Sequence, residues 1–172
     1  MKKTILTILA GLCLVITITP LATADGLQLA EKVHAILGDG PANDNYHVSA
    51  NDVYMWTKMK KTDFMVLDVR IGENALDAYK LAHIPGALYI PYNELFKPAN
   101  LKKLPKDKKI ILVCHMGAAE ALPVIPLRML GYNAYGMVLG MAGWQRGYPS
   151  AEYVQGLIDL PKTKDFPLES SK

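Results

Sequence analysis

Short runs rich in strand-forming residues recur along this chain at 64–69, 88–90, 110–113 and 132–138. Each is shorter than a helix needs, and the continuous apolar stretch Ile110-Ile111-Leu112-Val113 reads as a parallel strand buried on both faces. Between the runs, apolar positions fall at helical spacing. Leu27, Leu29, Ala30, Val33, Ile36 and Leu37 predict one helix, which Gly38-Asp39-Gly40-Pro41 breaks into a linker running to Asn45. Ser49 with Asp52 three residues on is a capping signature that opens a helix through about Met59. Helical turns are predicted at 77–82 and 92–96. A longer helix follows at 118–129, with Pro123 tolerated in its first turn and Pro126 kinking or shortening it. A short helix at 140–144 stops at Gly147 and Pro149, and a weaker one at 151–158 precedes a tail containing Pro and Lys. Strands alternating with helices predict an α/β fold on a parallel sheet, whose ligands sit beyond the carboxyl ends of the strands.

The ends of the chain change the picture of where it works. Lys2 and Lys3, an apolar stretch from Ile5 to Ile18, and Ala22-Thr23-Ala24 ahead of Asp25 predict a secretory signal peptide over residues 1–24. The apolar run is shorter than the ~20 residues a bilayer span needs, so no stable membrane anchor is expected after cleavage. The mature protein is expected to be periplasmic or secreted. The remaining organisation reads as an N-terminal helix and linker at 25–45, one domain at 46–150, and a C-terminal helix and flexible tail at 151–172. The 19 basic and 16 acidic residues give a net charge of +3, which loss of Lys2 and Lys3 brings to about +1. So balanced a charge leaves no footprint for nucleic acid. His34, His47, His83 and His115 lie too far apart to suggest a zinc site, and no metal or organic cofactor is expected.

The 2 cysteines sharpen the reading further. Cys13 leaves with the signal peptide, so Cys114 keeps no intrachain partner. Structural cysteines in oxidising compartments usually come in pairs, which raises the question of what this thiol does. It follows the run 110–113 and opens Cys114-His115-Met116-Gly117-Ala118-Ala119-Glu120, a loop of small residues ahead of a helical pattern. Backbone N–H groups from His115 to Glu120 are expected to curl round the sulfur as an anion cradle. Such a cradle lowers a thiol's pKa and holds an anion against it. The competing reading is a free cysteine packed as a small hydrophobe.

Four stretches, in order, resemble the rhodanese (sulfurtransferase) family in its single-domain exported form, across about residues 46–150. They are Leu67-Asp68-Val69-Arg70; Ala82-His83-Ile84-Pro85-Gly86-Ala87; Ile111-Leu112-Val113-Cys114 with Gly117 in the loop; and Gly140-Met141-Ala142-Gly143-Trp144 running to Gly147-Tyr148-Pro149. The resemblance implies a rhodanese-like α/β fold, a central parallel sheet of about five strands flanked by helices on both faces. It also implies that Cys114 accepts a sulfane sulfur from a small sulfur-containing donor such as thiosulfate or polysulfide. The persulfide then passes to a thiol or cyanide-like acceptor, or to a protein partner.

The resemblance has one departure. Active members carry an arginine at the fifth position after the cysteine, where this chain has Ala119, followed by Glu120. An arginine fork matches an oxyanion; alanine offers nothing, and the adjacent carboxylate has the wrong sign. Losing such a charge-assisted contact costs about 2–3 kcal/mol, so polysulfide or a persulfide is expected as donor rather than thiosulfate.

Three functions stay open on the sequence. One is a sulfurtransferase working through a Cys114 persulfide, one a non-catalytic binding module on a rhodanese fold, and one a thiol redox carrier or sensor. His115 either assists the thiol or points to solvent. Asp68 and Arg70 are expected to form a supporting ion pair at a strand end, and His83 a packed, hydrogen-bonded corner at the Pro85-Gly86 turn. Met116, Met137 and Met141 read either as lining an apolar mouth near Cys114 or as gap-filling core, Trp144 as core-filling, and Arg128 as too far along the chain to replace the absent fork.

Overall fold

The computed structural model describes residues 21–164 and 167–170, so most of the expected export segment lies outside the described residues. Five parallel strands form one sheet in the order β1-β5-β4-β2-β3. Its centre is β4 (Lys109–Val113), where the unbroken apolar run leaves Ile110 through Val113 with no exposed surface. β2 (Phe64–Asp68) and β5 (Asn133–Met137) flank it, and β3 (Leu88–Tyr89) adds to β2. The remaining edge, β1 (His47–Val48), pairs with Gly136 and Met137. Two residues carry no periodicity, which is why β1 escaped the sequence reading.

Helices fill the connections and flank the sheet. α1 (Leu21–Asp39) continues through the expected cleavage position and packs on α5 (Ala121–Met129). The stretch read as a linker forms a 3-10 turn, Pro41–Tyr46, that delivers Tyr46 into the core against the edge of Tyr135. α2 (Ala50–Lys58) begins at a complete capping box: Ser49 Oγ accepts from Asp52 N–H at 3.0 Å while Asp52 accepts from Ser49 N–H at 3.3 Å. α3 (Ala75–Leu81) precedes β3. α4 (Pro98–Leu101), a single turn before β4, was not foreseen.

α5 starts three residues later than expected, because residues 115–120 are spent on the loop after Cys114. Pro123 therefore sits in its first turn, where its missing N–H leaves no bond unmade, and Pro126 is held inside the helix. α6 (Gly140–Trp144) packs against α2 and against α7 (Ala151–Thr163), which runs five residues beyond the expected end.

Candidate active site

The chain leaves β2 toward β3 on one side and leaves β4 toward β5 on the other. The carboxyl ends of β2 and β4 therefore enclose the crevice at which such sheets bind ligands. Asp68 ends β2 in register with Val113, and Cys114 is the next residue. The thiol is 3% exposed and unbridged.

The expected cradle is narrower than the sequence suggested. Among the described residues, the backbone hydrogen bond to Sγ comes from the Gly117 N–H, at 3.2 Å, and not from the amides of Ala118, Ala119 or Glu120. The reason lies in what grips the loop. The turn after β5 donates to its carbonyls, Met141 N–H to Cys114 O at 2.8 Å and Ala142 N–H to His115 O at 3.0 Å. Ser150 Oγ adds a third bond to His115 O. Glycine is required on both sides of this contact. A Cβ at Gly140 would lie 2.4 Å from Cys114 O, and one at Gly117 would lie 2.6 Å from the Leu139 nitrogen, with φ positive at both. Met116, Gly117 and Ala118 open onto an apolar pocket of about 520 Å³ shared with Leu139 and, from α7, Tyr153 and Leu157. Ala119 packs against the core.

One side of the crevice is a closed polar network. Arg70 and Asp68 are both buried, with Arg70 Nε donating to Asp68 Oδ1 at 3.0 Å and Nη2 to Oδ2 at 2.7 Å. Nη2 also donates to Ala82 O, and Nη1 to the Tyr148 hydroxyl. Burial pulls the guanidinium's pKa down, yet Asp68 and Tyr148 outweigh it, so the net shift is upward. Because the Tyr148 hydroxyl accepts from Arg70, its own proton points to His115 Nδ1, 2.6 Å away. The proton of His115 is thereby placed on Nε2, which faces Ile71 O at 3.3 Å. Burial, helped by the Arg70 charge, lowers the His115 pKa below 6.5 and favours the neutral ring. Both ring nitrogens of His115 are thus engaged on the Arg70 side, neither free in solvent nor turned to the sulfur. Its sequence neighbourhood gave no sign of Tyr148, 33 residues on.

The other side of Cys114 is unlike this. Glu120, in the turn that opens α5, is 1% exposed, and its Oε2 has no hydrogen-bond partner. Burial raises its pKa, against the opposing help of the Cys114 thiol, its own amide and the charge of His47. The sheet makes room for it at Gly136: a Cβ there would lie 3.3 Å from Glu120 Cγ and 3.8 Å from the His47 ring. The sequence placed Glu120 on the loop as a backbone donor with a wrongly signed side chain; its position inside the core depends on a glycine on another strand.

The other candidates lie apart. His83 Nδ1 faces Tyr79 O at 2.8 Å and its ring stacks on Tyr79, fixing the α3–β3 corner. Arg128 donates to Ala134 O at 2.8 Å and lies over the Tyr46 ring. Met137 and Met141 are core, and Trp144 meets Tyr54 edge-on.

Comparison with known proteins agrees with this fold. The sequence model of the rhodanese-like domain matches residues 51–147. A candidate sulfur carrier protein of Bacillus subtilis, YrkF, is 32% identical over 80 residues, 46% of this chain and 40% of its own length. The adenylyltransferase and sulfurtransferase uba4 of Ogataea parapolymorpha is 32% identical over 82 residues, 47% of this chain and 20% of its own. The chain thus spans less than half the length of either relative. A rhodanese-like domain protein of Staphylococcus aureus shares the fold with a TM-score of 0.50 at 24% identity, covering 59% of this chain and 93% of that one.

Proposed function

The chain belongs to the rhodanese-like domain family, and we propose that it acts as an exported sulfurtransferase carrying sulfane sulfur as a persulfide on Cys114. The observation that carries this reading is the placement of Cys114 at the crevice between β2 and β4, with the Gly117 amide on its sulfur. A thiolate is a soft nucleophile toward sulfur, and an amide donor favours both it and the persulfide anion that replaces it. Relatives named as a sulfur carrier and a sulfurtransferase support the reaction class. Residues 1–24 support export.

The donor is a polysulfide or a persulfide. Thiosulfate is a dianion and calls for a cationic fork. Ala119 supplies none, Arg70 is committed to Asp68, Ala82 and Tyr148, and Arg128 to Ala134 and Tyr46. Incubation of the mature protein with polysulfide, followed by intact-mass measurement, is expected to show a gain of one sulfur atom that Cys114→Ser abolishes. Thiosulfate is expected to load it poorly, and Ala119→Arg to raise that loading by roughly a hundredfold. A wild-type protein that gains no sulfur from polysulfide overturns the reading.

A further inference from the structure

Asp68 and Glu120 are the buried carboxylates of the described structure. Asp68 is locked by Arg70. Among the described residues Glu120 makes no ion pair and keeps a bare Oε2; its side chain fills the space left by Gly136, and the Cys114 thiol acts on its carboxyl. Buried acids that merely support a fold are paired. One left open next to the loop that carries Cys114 is arranged for proton exchange.

We propose that Glu120 is the acid–base partner of Cys114, taking the thiol proton as the sulfur attacks and returning it to the thiolate that departs from a hydropersulfide donor. The identity of the donor rests on the sulfurtransferase reading; the exchange with Cys114 rests on the burial of Glu120, its bare Oε2 and its seat over Gly136, which pairs with Leu112 two residues before the thiol. The step balances. The Cys114 thiol and the Glu120 carboxylate become a thiolate and a carboxylic acid. The thiolate attacks the outer sulfur of R–S–SH, an Sγ–S bond forms, and the bond between the donor's two sulfurs breaks with its electron pair leaving on RS⁻. The acid proton passes to RS⁻, releasing R–SH and leaving Cys114 as –S–SH with Glu120 again ionised. No outside oxidant or reductant takes part.

One negative charge persists throughout, passing from carboxylate to sulfur and back, so the crevice, whose cation Arg70 is already paired with Asp68, never has to hold a second. Burial moves the carboxyl toward the thiol's range, so transfer between them is closer to balanced than for an exposed acid and a free thiol. The groups facing Glu120 are the Cys114 thiol and His47 on β1, together with its own amide. His47 is exposed and flanks the same gap over Gly136.

The rate of Cys114 alkylation by iodoacetamide, followed from about pH 4 to about pH 10, tests this without any sulfur donor. The wild type is expected to show two ionisations belonging to the coupled pair. Glu120→Gln is expected to show one, with alkylation near neutral pH about tenfold slower. Glu120→Asp is expected to restore part of the second ionisation. Gly136→Ala is a second variant, because its Cβ presses on Glu120 Cγ without removing the carboxyl; it is expected to keep two ionisations and to move them. Two ionisations persisting in Glu120→Gln, or faster alkylation, overturn the proposal. Loading with a hydropersulfide separates it from the broader reading: a wild-type protein with coupled ionisations but no sulfur gain sinks the transferase, whereas undiminished loading in Glu120→Gln sinks the proton partner alone.

Discussion

Asp68 and Glu120 are equally hidden, on either side of one sulfur, and are treated in opposite ways. Asp68 receives a guanidinium along both oxygens and the Arg70 amide at 3.1 Å. Its charge is fully matched, and through Arg70 it fixes Tyr148 and His115. Glu120 has only the Cys114 thiol, its own amide and the more distant His47 to favour its charge, and one oxygen is bare. A matched buried charge holds geometry. An unmatched one stores a proton affinity that its surroundings can shift, which is what chemistry at a neighbouring thiol requires.

The contrast can be broken hardest on the matched side. Arg70→Met strands the Asp68 charge and is expected to remove about 3–5 kcal/mol of stability, read from urea unfolding; a loss no larger than that of a surface substitution contradicts the pairing. On the unmatched side the sign reverses with pH. The folded pKa of Glu120 lies above its ordinary 4.5, so the wild type loses stability as pH rises from that value through the raised one. Glu120→Gln has no such loss. It is expected to match the wild type in acid and to exceed it by about 1 kcal/mol at alkaline pH, as measured by thermal unfolding across pH.

The smallest effect sharpens the matched network. Tyr148→Phe removes the hydroxyl between Arg70 and His115, with an expected loss of about 0.5–1 kcal/mol. In the wild type the His115 ring is expected to titrate below 6.5, as followed by NMR. The contribution of His115 to stability is therefore present above 6.5 and disappears as pH falls through the lower folded value.

The sheet is legible because two of its inner strands, β2 and β4, are written as nearly continuous apolar runs. Phe64–Asp68 and Lys109–Val113 differ from the expected bounds by a single residue. β1 was invisible, since its two residues gain strand geometry only from pairing with β5. At the site, Cys114 and its loop stood out through local spacing. The sulfur's surroundings did not, because they are set by contacts remote in sequence. Leu139-Gly140 grips the loop from the end of β5, Tyr148 closes the network from beyond α6, and Gly136 admits Glu120 by lacking a side chain. Fewer loop amides reach the sulfur than local spacing implies for the same reason: the number depends on how neighbouring segments bend the loop.

The close seating of Gly117 and Gly140 has a bearing on any attempt to re-engineer this scaffold. With backbone against backbone and no space for one added carbon, the segment bearing the sulfur and the turn from the adjacent strand behave as a matched lock and key. Grafting a foreign nucleophile loop here calls for its own companion turn, transplanted as a set.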